Sequence, residues 1–117
     1  MKYETSEKEG IAIIAPKGNM TDGPGLEKLH NKIKELVSVG ARQMVIDLGE
    51  VPWIDSAGLG LLVTTFNNLK SIGGELKIAD IKMYRTPGLI IEVDLRRFTW
   101  KTYDSAEKAV KSFPPIS

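Results

Sequence analysis

Met44-Val45-Ile46-Asp47-Leu48 is almost continuously apolar, Gly49 to Asp55 breaks the run with turn formers and a proline, and Ser56-Ala57-Gly58-Leu59-Gly60-Leu61-Leu62-Val63 opens a new periodic segment. A short run with apolar residues at successive positions is what a strand buried on both faces requires. From Ser56 onward, Leu59, Leu62, Val63, Phe66 and Leu69 recur at helical spacing and form an inward stripe, which Gly73-Gly74 terminates. A buried strand, a short loop and an amphipathic helix in that order predict an α/β unit whose loop lies at the carboxyl end of a strand. That edge is where such sheets carry their functional groups.

The same alternation extends in both directions. Upstream, Ile11 to Ala15 reads as a strand closed by Pro16 and Gly18, with Tyr3 to Glu7 as a weaker strand and Glu9-Gly10 as the hairpin turn between them. Leu26, Leu29, Ile33, Leu36 and Val37 make the stripe of a first helix, with Thr21 or Asp22 as its cap, Pro24 in its first turn and Gly40 at its end. Downstream, Leu76, Ile78 and Ala79 give a strand. Tyr84 to Val93 reads as helical with an interruption at Pro87-Gly88, and Phe98 to Tyr103 as a last strand that buries Trp100. Arg96-Arg97 reads as a solvated entry to that strand. Asp104-Ser105 caps a final helix through Ala106, Ala109 and Val110, and residues 113–117 form a frayed tail. Strands alternating with helices predict an α/β domain with a four- to five-stranded mixed sheet, right-handed crossovers and helices mainly on one face.

Composition bounds the function. The 117 residues fit one domain spanning 1–117, with an ordinary balance of 42% hydrophobic and 26% charged residues. Sixteen basic against fifteen acidic side chains leave a formal charge of +1. That is no basic stripe, so nucleic acid is not an expected partner. The absence of cysteine excludes disulfides, thiol catalysis and cysteine-ligated zinc. The N-terminal residues are polar, and no apolar run approaches the roughly 20 residues that span a bilayer. A reduced, cytoplasmic domain without a membrane segment is the expectation.

Ser56 is the residue on which chemistry is expected to fall. Read as structure, it is an N-cap worth about 1 kcal/mol. Read as function, its hydroxyl is a phosphorylation site at a helix N-terminus, where unpaired N–H groups and the helix dipole tolerate an anion. Gly58 and Gly60 each cost a helix about 1 kcal/mol relative to alanine. They serve close packing against the sheet or leave room for a partner at the backbone. Leu61 lies off the inward stripe, either as an exposed apolar contact or against a neighbouring element. Trp53 precedes the motif and either packs on the second helix or belongs to a partner face. The only histidine, His30, lies off the first helix's stripe and reads as solvent-exposed.

Other chemistries fit poorly. A nucleophile elbow needs glycine two residues before its serine, where this chain has Ile54, and a supporting histidine. A serine hydrolase is therefore a remote alternative. Gly58-x-Gly60 lacks the third glycine of a dinucleotide fingerprint, and no P-loop is present. Neither cofactor nor metal is expected; Asp22, Asp47 and Asp55 read as caps and a polar rim.

Asp55-Ser56-Ala57-Gly58-Leu59-Gly60, preceded by Val45-Ile46-Asp47-Leu48, resembles the signature of bacterial anti-sigma-factor antagonists, single-domain members of the STAS family. The likeness extends over Gly18 to Asp22 and over Ile72-Gly73-Gly74-Glu75-Leu76. The resemblance implies a non-enzymatic switch. The unphosphorylated antagonist binds an anti-sigma factor that is also a serine kinase, releasing a sigma factor. Phosphorylation of the motif serine, here Ser56, ends binding, and a phosphatase resets it. It also implies a role for Asp22, which matches the family aspartate after the second strand; with Trp53, Asp55, Ala57, Gly58, Gly60 and Leu61 it makes the expected partner face. Ala57 stands where many members carry a hydroxyl residue. A free-standing adaptor acting on a phosphatase, a stress-signalling assembly or a transporter complex is the alternative within the same family.

Overall fold

The computed structural model describes residues 2–80, 83–85, 92–94 and 101–114. Strand β1 (Lys2–Lys8) turns through Glu9 and Gly10, both at positive φ (55° and 78°), into β2 (Ile11–Lys17). Two left-handed central residues match the twist of a two-residue hairpin, so β1 and β2 pair antiparallel from Lys8↔Ile11 to Lys2↔Lys17. Helix α1 (Pro24–Ser38) follows, then β3 (Gln43–Asp47), α2 (Ser56–Ser71) and β4 (Glu75–Ala79). Strands β5 (Met83–Arg85) and β6 (Glu92–Asp94) pair antiparallel with each other, before β7 (Lys101–Tyr103) and α3 (Ala106–Lys111). The main sheet has five strands in the order β1-β2-β3-β4-β7; β2, β3, β4 and β7 run parallel and only β1 is reversed.

The pleat divides the core in two. Ala12, Ile14, Met44, Ile46, Leu76 and Ile78 face α1 and α2, while Ile11, Val45 and Ala79 face α3 through Ala109, Val110 and Phe113. This is why Met44-Val45-Ile46 had to be apolar at every position: alternate side chains serve opposite cores. Two helices therefore cover one face, and the short α3 covers part of the other.

Several expectations are corrected. Neither Thr21 nor Asp22 caps α1; the cap is Gly23 with no side-chain bond, and Pro24 opens the helix. The segment around Tyr84 to Val93 holds two strand pieces, β5 and β6, rather than a helix. Residues 86–91 between them lie outside the described residues. On α2 the buried residues are Gly58, Leu61, Leu62, Thr65 and Leu69, with Leu59, Val63 and Phe66 partly buried. The helix packs on the sheet and also on α1, so a second face is covered. Thr65 is tolerated there because its hydroxyl donates to the Leu61 carbonyl at 2.8 Å.

Phe113 is not frayed: it is 5% exposed and packs in the α3 core. It roofs Lys77, itself 2% exposed, whose Nζ donates to Ser112 Oγ at 2.7 Å and lies 3.9 Å from the Phe113 ring centre. Residues 115–117, Arg96-Arg97 and Trp100 lie outside the described residues. Among the described residues, no helix is long and apolar enough to cross a membrane.

Candidate functional site

The site is assembled by two loops running side by side beyond the carboxyl ends of β2 and β3. Gly18 N–H donates to the Glu50 carbonyl at 2.9 Å, Met20 N–H to Trp53 at 2.8 Å, and Asp55 N–H back to Met20 at 3.2 Å. Met20 and Ile54 form an isolated parallel bridge, and both are buried, as are Leu48 and Val51. Buried Leu48, Val51 and Ile54 anchor the β3–α2 loop at every third position while its backbone continues the sheet's pairing beyond the regular strand. Met20 is the anchor that sequence reasoning missed; its signal was a lone large apolar residue among the turn formers Asn19 to Gly25.

Asp55, not Ser56, is the N-cap of α2. Its Oδ1 accepts from Gly58 N–H at 3.0 Å, closing the first turn. Its Oδ2 accepts from Asp22 N–H at 2.9 Å, which ties the two loops together at their ends. Burial works to raise the Asp55 pKa, but the backbone N–H groups of Asp22, Gly58, Ala57 and Asp55 outweigh it and hold the carboxyl below its ordinary value. Ser56 becomes the first helical residue and is exposed.

The two glycines have different roles. Gly58 is buried, and a Cβ there would lie 2.2 Å from the Met20 carbonyl oxygen and 3.0 Å from Ile54 Cγ2. It is a packing glycine, the first of the alternatives the sequence left open. Gly60 is exposed with nothing within 4 Å of a built Cβ, so it leaves open space beside the serine.

Between the start of α1 and the first two turns of α2 lies a groove of 580 Å³. Asp22, Pro24, Ala57, Gly60 and Leu61 line it, together with three residues the sequence did not assign: Glu27, His30 and Thr64. Leu61 is 5% exposed, so it is a core residue that touches the groove rather than an exposed contact. His30 is half-buried rather than free in solvent, and burial followed by the Lys34 charge lowers its pKa. Its place at i+4 from Leu26 and i+3 from Glu27 was the available signal, since those three share one flank of α1. Trp53 is half-buried and contributes its carbonyl to the loop pairing. The site thus brings Asp22, Asp55, Ser56, Ala57, Gly60 and Leu61 to one edge. Among the described residues, the groove lining includes the carboxylates of Asp22 and Glu27 and no lysine or arginine. Among the described residues, no group of three or more potential metal ligands forms.

Comparison with known proteins gives this arrangement a lineage. The chain is 29% identical over 82 residues, 70% of each chain, to BtrV of Bordetella bronchiseptica, named there as a candidate anti-sigma factor antagonist. The unphosphorylated anti-sigma factor antagonist SpoIIAA superposes with a TM-score of 0.73 at 16% identity, covering 94% of both chains. An anti-sigma factor antagonist from Mycobacterium paratuberculosis superposes at 0.71 with 20% identity, covering 94% of this chain and 91% of that one. Phosphorylated SpoIIAA from Bacillus also gives 0.71 at 16% identity, covering 94% and 97%. The profile of the STAS domain matches residues 2–85, which include both zipped loops, the Asp55 cap and the whole of α2, and the chain belongs to the STAS domain family.

Proposed function

We propose that this protein is an anti-sigma-factor antagonist whose unphosphorylated form binds an anti-sigma factor with serine-kinase activity, and that phosphorylation of Ser56 ends the binding. The observation that carries this reading is the exposure of Ser56 on the first turn of α2, next to the Asp55 cap and followed by Ala57 and Gly60, which line the groove. Small neighbours favour approach by a kinase, because Ala57 and Gly60 add almost no bulk around the hydroxyl. The partner face is the edge formed by Asp22, Trp53, Asp55, Ala57 and Gly60 with the groove, while Gly58 and Leu61 support it from beneath. The likeness to anti-sigma factor antagonists in sequence and fold supports the same assignment.

Phosphorylation adds about −1.5 to −2 charges and three acceptor oxygens at pH 7. On a face already bearing Asp22 and Asp55, that charge meets like charge in the free chain and must be desolvated in a complex. A 100-fold loss of affinity needs only about 2.7 kcal/mol, within the usual range of coupling energies. A separate phosphatase acting on phospho-Ser56 restores the binding form. The chain itself is a substrate and ligand rather than a catalyst. Incubation with ATP and the host kinase, followed by phosphosite mapping, tests the reading. Phosphate should appear on Ser56, Ser56→Ala should bind the kinase as tightly as the unmodified chain, and Ser56→Asp should bind at least tenfold more weakly. Equal affinity of the two variants would refute the switch.

A further inference from the structure

The N–H groups that open a helix are a ready seat for an anion, and in α2 that seat is already taken. Asp55 Oδ1 accepts from Gly58 N–H at 3.0 Å, and the Ala57 N–H nearby helps hold the carboxyl below its ordinary value. Leu59 N–H is bound by the Asp55 carbonyl at 3.0 Å. The second carboxylate oxygen is held by Asp22 N–H at 2.9 Å, so the side chain cannot swing aside without releasing the β2–α1 loop. Ser56, one residue further on, is exposed.

Resting on the reading of Ser56 as the phosphorylated residue, we infer that Asp55 is a positioning residue that fills the anion seat of α2, so that a phosphoryl group on Ser56 is kept out of the first turn and stands free on the surface. Two observations support this independently: the Gly58 amide of the first turn already has the carboxylate as acceptor, and among the described residues the neighbouring groove offers no lysine or arginine in its place. Among the described residues, the charged and titratable groups lining it are Asp22, Glu27 and His30, whose protonation is opposed by its burial and by Lys34, with Asp55 at the start of α2.

The consequence is functional. A phosphate captured by a helix N-terminus would be neutralised by N–H donors, would stabilise the fold and would be shielded. A phosphate excluded from that seat presents its full charge to the kinase it has just left and keeps its oxygens open to a phosphatase. Asp55 thereby converts an intrinsically anion-binding helix start into one that displays its anion. The same carboxylate that shapes the unmodified face sets the contrast between the two states.

Phosphoserine incorporated at position 56 during translation tests this without any kinase, so its failure is distinguishable from failure of Ser56 to be phosphorylated in the host. The readouts are the ³¹P NMR titration of the phosphate and the amide resonances of Ala57 and Gly58. In the natural chain the phosphate should ionise at or above its ordinary midpoint of about 6, with both amides nearly unmoved. In Asp55→Ala the phosphate should rotate into the vacated seat: its midpoint falls below about 6, the Gly58 amide moves downfield, and alkaline phosphatase removes the phosphate severalfold more slowly. Asp55→Asn keeps an oxygen acceptor for Gly58 N–H and should restore the natural amide pattern. If Asp55→Ala does not fold, the natural chain and Asp55→Asn still decide the matter. A low midpoint with downfield Ala57 and Gly58 amides in the natural phosphorylated chain would overturn the inference. So would a folded Asp55→Ala chain whose phosphate behaves as in the natural one.

Discussion

Gly58→Ala is the substitution that most directly tests how the site is built. On an ideal helix it would be favourable by about 1 kcal/mol, because alanine is the better helix former. Here the new methyl would stand 2.2 Å from the Met20 carbonyl oxygen, 2.9 Å from Met20 Cβ and 3.0 Å from Ile54 Cγ2. The first of these is backbone, and that carbonyl accepts from Asp55 N–H at 3.2 Å. Relief therefore requires the β2–α1 loop to retreat by about 1 Å to reach ordinary contact, breaking the Met20–Asp55 bond. Overpacking of this kind costs roughly 1–3 kcal/mol, and a buried hydrogen-bonding group left unpaired adds roughly 1–3 kcal/mol. Subtracting the helix gain leaves a net destabilisation of about 1–5 kcal/mol, a large share of the roughly 5–15 kcal/mol that stabilises a domain. Urea unfolding followed by circular dichroism reads it, with Gly60→Ala as the matched control. At Gly60 a methyl meets nothing within 4 Å, so only the helix gain remains and the midpoint should rise slightly. If Gly58→Ala were as stable as Gly60→Ala, the close approach of α2 to the Met20 loop would be wrong.

Two further substitutions probe the cap and the second core. Asp55→Ala should lose about 1 kcal/mol of stability at neutral pH through the missing cap. The folded-state carboxyl is held below its ordinary value, so its stabilisation is complete above about pH 4 and is lost as pH falls through the folded value. Acid unfolding curves of the natural chain should therefore drop more steeply below pH 4 than those of the variant, and parallel curves would contradict the cap. Phe113→Ala should cost about 3 kcal/mol by emptying the α3 core and uncovering Lys77; a thermal midpoint unchanged from the natural chain would return residue 113 to a frayed tail.

The candidate site lies where the topology leaves backbone unfinished. Parallel strands β2 and β3 end at the same edge, and their exit loops must satisfy their own N–H and C=O groups. They do so by pairing with each other from Gly18 to Asp55, which draws Asp22, 33 residues away in sequence, onto the Asp55 carboxylate. A helix that starts there inherits a rigid platform. Ser56, on its first turn, is exposed at that edge.

The sequence by itself determined the element order around the site, because period-2 and period-3.6 apolar patterns are local signals. Met44 to Leu48 on two cores, the stripe Leu26-Leu29-Ile33 and the helix start at Ser56 were all legible that way. So was a serine at the helix start within a family motif, since a helix-opening hydroxyl is readable without knowing its neighbours. Tertiary structure alone decided which residue caps α2, because Asp55 and Ser56 are both good caps and the choice depends on a donor from Asp22 in another loop. It decided that Gly58 packs and Gly60 does not, a distinction created by the Met20 carbonyl. Leu61 and Thr65 were drawn inside because α1 covers a second face of α2, and Phe113 because Lys77 on β4 offers its aliphatic stem and charge to a ring. In each case the deciding atom lies dozens of residues away along the chain, where periodicity, a strictly local property, carries no information.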